Sequence, residues 1–230
     1  MSRSRERLVE AAFALFDERG FEETTVDDVA ERAGVGRTTF FRAFRSKEDV
    51  IFPDHAEVLG TVRDRLATAT DDTAPVAVVE AARLVLQHYL DEGERARIRY
   101  RLTRSVPALR AREIASQRQY QQAFRTFVHA WLGDAPGSDL RAELMANAVV
   151  TAHNHVLRRW LRGRIDRAAA EAEFRDAMAE VLRLHGTRRG PGDGGDAAGG
   201  EASLVVLRTT RPMEELLPAL REIAGHLTER

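Results

Sequence analysis

The chain has 230 residues, of which 43% are hydrophobic and 31% charged, with a formal net charge of -1. That content can bury a substantial core, and no stretch approaches the roughly twenty apolar residues needed to cross a bilayer. Cysteine is absent, which excludes disulfides, thiol redox sensing and thiolate metal sites.

Met1-Ser2-Arg3-Ser4-Arg5 leads into no apolar segment of signal-peptide type, so cytoplasmic residence is expected. Leu8, Ala11, Ala12, Leu15 and Phe16 recur at helical spacing and predict a helix that ends at Gly20. Thr25 precedes Val26 with Asp28 three residues on, a hydroxyl and acid pattern for a helix start. A short helix follows to about Ala33, Gly34 breaks it, and Val35 to Phe44 forms another after a tight turn. Two short helices joined so closely are a helix-turn-helix candidate.

Between Gly36 and Lys47 the charges are Arg37, Arg42, Arg45 and Lys47, with no acid, while acids crowd both flanks. This local field favours phosphate although the whole chain is near neutral. Thr38 and Thr39 are short enough to bring a helix close to a groove floor, and their hydroxyls and methyls suit base edges. Phe40 is expected to face inward; Phe41 and Phe44 stay open between packing and backbone contact. Ser46 is read as the cap of a fourth helix beginning near Lys47, so a lysine head and helix amides meet one phosphate. A plain helical hairpin with a solvated arginine face is an equal reading from periodicity alone.

The run from Thr24 through Asp49, TTVDDVAERAGVGRTTFFRAFRSKED, resembles the N-terminal domain of the TetR family of bacterial transcriptional regulators. The resemblance implies an all-α fold, with a three-helix DNA-binding domain (1–50) before a larger helical effector-binding and dimerisation domain (51–185). It makes residues 36–42 the recognition helix. The implied DNA-contacting set is Thr25, Gly36, Arg37, Thr38, Thr39, Phe41, Arg42, Phe44 and Lys47. Phe41 stands where Tyr is frequent in the family, so one phosphate hydrogen bond is unaccounted for.

Long helices are expected next: about Ile51 to Thr70, then Pro75 to Leu90, Arg95 to Thr103, and one from Pro107 that reaches Trp131. Along the last, Leu109, Ile114, Tyr120, Phe124, Phe127, Val128 and Trp131 supply an inward face that either borders a cavity or simply fills a core. Arg99, Arg101, Arg104, Arg110 and Arg112 are read as solvated faces and ion pairs with Glu92, Glu94 and Glu113. Candidate effector contacts are Tyr100, Gln117, Tyr120, Phe124, Phe127 and Asn147, with His88 a further polar anchor, for an acyl or other hydrophobic ligand.

Two late helices, about Asp139 to Leu161 and from the Asp166 cap to Leu184, carry small and apolar side chains. Leu144, Ala148, Thr151, Ala169, Phe174, Met178 and Val181 are the dimerisation candidates, and the resemblance implies a four-helix bundle between subunits. Packing within one subunit is the alternative for the same residues. His153 and His155 lack metal-ligand spacing, and no phosphate loop or nucleophile elbow is present, so neither metal, cofactor nor enzymatic chemistry is expected.

A glycine-rich linker (186–202) leads to an extension (203–230) with a strand-like run and an amphipathic stretch from Met213 to Leu227. That extension is expected to dock on the chain or its sister subunit, to cover the pocket, or to bind another protein. The function expected is a ligand-responsive regulator, acting as a repressor, that binds a double-stranded palindromic operator as a homodimer and has no membrane partner. A helical protein-interaction module without specific DNA binding is the competing reading.

Overall fold

A computed structural model of the chain describes residues 3–52 and 55–186. Among the described residues there are ten helices and no strands. They are α1 (Arg3–Arg19), α2 (Val26–Arg32), α3 (Arg37–Ala43), α4 (Lys47–Ile51), α5 (His55–Ala67), α6 (Ala74–Glu92), α7 (Glu94–Ser105), α8 (Pro107–Leu132), α9 (Ser138–Leu161) and α10 (Arg167–His185). No helix among the described residues is long and apolar enough to cross a membrane.

Local chemistry sets the first boundaries. Thr25 Oγ1 accepts from the Asp28 N–H at 3.2 Å, and Asp28 Oδ2 accepts the Thr25 N–H at 2.8 Å, which closes a reciprocal cap on α2. The Thr25 hydroxyl bond, then its backbone bond, then Arg19, hold the Asp28 carboxyl down at about 2. At the other end the Val35 N–H reaches Ala30 O and the Gly34 N–H reaches Glu31 O, both at 2.9 Å. That pair of bonds needs a left-handed residue between them, and Gly34 supplies it with φ +64. A Cβ at Gly34 would also stand 2.6 Å from Arg7 Nη2, whose guanidinium donates to the Ala33 carbonyl.

The helix expected from about Ile51 to Thr70 starts later and ends sooner, at His55 and Ala67, while the helix expected near Lys47 takes Ile51 as its last residue. α4 stops at Ile51 and α5 begins at His55, because Phe52 precedes a proline and such a residue is driven out of helical conformation; its φ and ψ are -121 and 60. The late helices follow their signals closely. Asp166 Oδ1 accepts the Ala169 N–H at 2.8 Å, and Gly163, at φ +68, ends the preceding turn with the same bond pattern as Gly34.

Two apolar cores result within one compact unit. The first gathers Leu8, Phe16, Val29, Phe40, Phe44, Val50 and Ile51 from α1–α4, and is completed by Ile98 and Leu102 of α7, Val106, and Leu109 of α8. The apolar cluster of the N-terminal helices is therefore not closed at residue 50. The second core fills the α5, α6, α8, α9 and α10 bundle around Leu86, Phe124, Met145, Val149, Trp160, Phe174 and Met178. The glycine-rich stretch beyond Gly186, the strand-like run and the amphipathic Met213 to Leu227 segment lie outside the described residues.

Two glycines of opposite context test this account. Gly34→Ala should destabilise the chain by about 1–2 kcal/mol, since a side chain there meets both an unfavourable φ and Arg7. Gly60, inside α5 with nothing within 4 Å of its virtual Cβ, should gain about 0.5–1 kcal/mol on change to Ala. Urea unfolding of both variants reads the difference, and equal effects would contradict it.

Candidate DNA interface and ligand cavity

The α3 helix divides its side chains cleanly. Phe40 and Phe44, one turn apart, point into the first core, their rings 5.8 Å apart. Arg37, Thr38, Phe41 and Arg42 are exposed, Phe41 at 46%, and Thr39 is half-buried. Phe44, expected among the DNA contacts, is 4% exposed and is a core residue instead, because the i, i+4 spacing from Phe40 fixes it on the inner face. Gly36 is exposed at the N-cap with an extended backbone.

The polar groups around this face are already engaged. Arg37 Nη1 lies 2.6 Å from Asp27 Oδ1, and its guanidinium rests 5.2 Å from the Phe41 ring centre. Thr25 is exposed, but its hydroxyl serves the α2 cap, donating to Asp28 at 2.6 Å. Lys47 Nζ donates to the Phe21 carbonyl at 2.5 Å and sits 4.1 Å from the Phe21 ring centre. Ser46 stands at the N-cap of α4 but makes no side-chain capping bond; the Asp49 carboxylate instead takes the Arg45 N–H at 3.0 Å.

Beside α3 lies a groove lined by Arg5, Phe41, Arg42, Phe44, Arg45, Asp49, Phe52 and Arg112. Four arginines against one carboxylate make it an anion-attracting surface. Arg5 and Arg112 come from distant parts of the sequence, so no local pattern marked them as neighbours of Arg42. Arg112 was expected to pair with nearby glutamates; it reaches Asp49 Oδ1 at 2.5 Å and covers the Phe52 ring at 5.6 Å. Of the glutamates expected as partners, Glu92 pairs with Arg99, which is buried at 7% exposed rather than solvated, and Glu94 with Arg101, which also holds Asp17 of α1 at 2.6 Å.

The second site is a cavity of about 780 Å³, counting its open mouth, between α5, α6, α7, α8 and α9. Ala82, Val85, Val149 and Leu157 form apolar wall, and of the candidate effector contacts Tyr100, Gln117, Tyr120 and Phe124 line it. Phe127 and Asn147 do not line it. Phe127 packs against the bundle core, and Asn147 is bonded to Gln121. Sequence reasoning missed Phe52, His55, Tyr89, Glu113 and His153 on the same walls. His153 had a readable signal: it falls in register with Met145, Val149, Val156 and Trp160 on the buried face of α9.

The cavity's titratable groups are set mainly by burial. Desolvation lowers the His153 imidazole to about 4 and also lowers His55, with Arg99 and Arg112 adding to the latter. Burial pushes the Glu113 carboxyl and the Tyr120 phenol up. Burial also acts to raise the Tyr100 phenol, but bonds from Arg104 at 3.2 Å and Arg162 at 2.8 Å outweigh it and lower the group. His88 stands off the main cavity, 3.6 Å from Glu92.

Of the dimerisation candidates, Leu144 and Thr151 are exposed and Ala148 and Ala169 half-buried. Phe174 and Met178, each 1% exposed, and the buried Val181 are spent inside the subunit, where Phe174 faces His153 edge-on. Their i, i+4, i+7 spacing puts them on one face, which packs α10 onto α9 of the same chain. Leu140 and Leu184 are large apolar side chains left at the surface of these two helices.

Residues 8–52 match the family model described as bacterial regulatory proteins, tetR family, and residues 72–187 match that of the MftR C-terminal domain. The chain is 26% identical to the HTH-type transcriptional regulator TcmR of Streptomyces glaucescens over 77% of this chain and 82% of the relative. Among solved structures, NalD, the secondary repressor of the MexAB-OprM multidrug efflux pump in Pseudomonas aeruginosa, superposes with a TM-score of 0.59 at 17% identity. That match covers 79% of this chain and 96% of NalD. The SmeT–triclosan complex superposes with a TM-score of 0.58 at 17% identity, over 83% of this chain and 99% of SmeT. At these identities the two structures establish the fold alone.

The buried His153 sets a pH test. Its neutral form is the one the fold holds, so its contribution is complete above about pH 6.5 and is lost as pH falls from there through about 4. Over that window stability should fall on the order of 3 kcal/mol more steeply for the natural chain than for His153→Leu. Urea unfolding at pH 7 and pH 4.5 measures it; parallel pH profiles would contradict burial as the cause.

Proposed function

Because the chain belongs to the TetR family of bacterial regulatory proteins, which regulate transcription through a DNA-binding helix-turn-helix, we propose that it is a homodimeric repressor released from its operator by a small hydrophobic ligand. The helices of residues 1–50 read DNA, and those of 51–185 bind the ligand and pair the subunits. In this reading Gly36, Arg37, Thr38, Thr39, Phe41 and Arg42 face the major groove, and Thr25 and Lys47 flank it near phosphates. Arg5 and Arg45 add to the phosphate contacts. Arg37 exchanges Asp27 for DNA. Tyr100, Gln117, Tyr120 and Phe124 meet the ligand, and Leu140, Leu144, Ala148, Thr151 and Ala169 meet the sister subunit. NalD is a repressor by name, and SmeT is solved with triclosan; both are consistent with this reading.

One observation carries the proposal. The first turns of α8 belong to both sites: Leu109 is fully buried in the core beneath the recognition helix, Arg112 grips Asp49 of α4, and Glu113, Ser116, Gln117 and Tyr120 line the cavity. Phe52 and His55, flanking the α4 to α5 junction, line that cavity as well. A ligand that shifts α8 or this junction therefore acts on α4, and through it on the separation of two recognition helices across a dimer axis.

Two experiments test it. On a DNA fragment upstream of the chain's own gene, a complex of twice the 25.7 kDa chain should bind in preference to random DNA, with affinity falling steeply with salt. Arg42→Ala and Thr39→Ala should each weaken that binding by about tenfold. No preference at any salt, or indifference to both changes, would sink specific DNA reading in favour of a protein-interaction module. In Arg112→Ala, a compound found by its release of the operator should still bind the protein but release DNA several-fold less effectively, on the order of 1 kcal/mol of lost coupling. Undiminished release would remove Arg112 from the path.

A further inference from the structure

Two imidazoles on the cavity wall each carry a ring nitrogen without a partner. His153 is 7% exposed, and its Nδ1 lies 3.2 Å from Asn154 Oδ1, which can only accept. The ring proton therefore sits on Nδ1, and Nε2 keeps its lone pair. That Nε2 is buried and unpartnered, as is Nε2 of His55 on a different helix lining the same cavity. Burial keeps both rings neutral near pH 7, so the pair does not attract an anion by charge.

The surroundings narrow the occupant further. Arg99 and Arg112 near His55 are already paired with Glu92 and Asp49, which leaves neither to hold a carboxylate, while the positive charge of these arginines and of Arg158 near His153 disfavours a cation. Apolar contact comes from Val85, Phe124, Val149 and Leu157. A buried lone pair facing no donor is unfavourable, and a ligand that brings a donor recovers that loss whereas an isostere without one does not. Taking this cavity as the effector site, on which the inference rests, we infer that its occupant is an uncharged, apolar molecule carrying a hydroxyl, a phenol or alcohol rather than a carboxylate, whose hydrogen is given to His153 Nε2.

The test uses the full chain and three matched probes: 4-propylphenol, 4-propylanisole and 4-propylbenzoate. Calorimetry reads binding, and operator release is measured separately. The phenol should bind about tenfold or more tighter than the anisole, with the benzoate weakest. In His153→Leu, checked for folding by its melting curve and by operator binding without probe, the preference should shrink to within about twofold. His153→Gln, which keeps an acceptor at the site, should retain part of it and stands in if the leucine variant does not fold. Equal binding of phenol and anisole, tightest binding of the benzoate, or a preference that survives in His153→Leu each overturns the inference. If phenol and anisole bind equally and both release the operator, the effector reading stands and only the hydroxyl reading falls. If the phenol is preferred but the operator stays bound, the reverse holds, and if no probe binds, both fall.

Discussion

Arg112 reaches from α8 to the Asp49 carboxylate and lays its guanidinium over Phe52, one turn beyond Leu109, which is fully buried under the DNA-reading helices. The ion pair alone is a weak tie, since both partners are partly exposed and such pairs contribute at most about 1 kcal/mol. The apolar wedge matters more. Ile98, Leu102, Val106 and Leu109 each bury most of an aliphatic side chain in the first core, on the order of 2 kcal/mol apiece. Packing thus fixes where α7 and α8 meet the N-terminal helices, and the Arg112 pair ties α8 to α4 beside it. Everything else in the proposed mechanism depends on this joint, because Phe52 and helix α8 belong to both the cavity wall and the N-terminal core.

The charge distribution explains how a chain of net charge -1 presents an anion-attracting groove beside α3. Acids are not absent from the interface; they are assigned elsewhere. Asp28 is consumed by the α2 cap, Asp49 by Arg112 and the Arg45 amide, and Asp27 by Arg37. Only the last pairing faces outward on both sides, at 60% and 65% exposed, so it is the one that solvent and phosphate can exchange at low cost. The groove beside it keeps its arginine excess.

Much of this was written in local chemistry. Thr25 with Asp28, Gly34, Pro107, Asp166 and Gly163 mark helix ends through capping and backbone geometry, which act within a few residues and so can be read in one dimension. Phe44, open between packing and backbone contact in the sequence and placed among the DNA contacts by the resemblance, packs with Phe40 in the core. What the sequence did not disclose depends on partners far apart in the chain. Spacing shows that Phe174 and Met178 share a face but not which helix covers it. Nothing local places Arg5 beside Arg45, or His55 in the same cavity as His153.

The central claim is that filling the cavity changes the spacing of the two DNA-reading units, and the absence of cysteine makes this directly measurable. A single thiol introduced as Glu31→Cys, on the exposed side of α2, carries one spin label per subunit. Pulsed dipolar spectroscopy then gives the label separation across the dimer with and without bound 4-propylphenol. The account predicts that the mean separation shifts by about 2 Å or more. An unchanged distribution while calorimetry shows the phenol bound would contradict it.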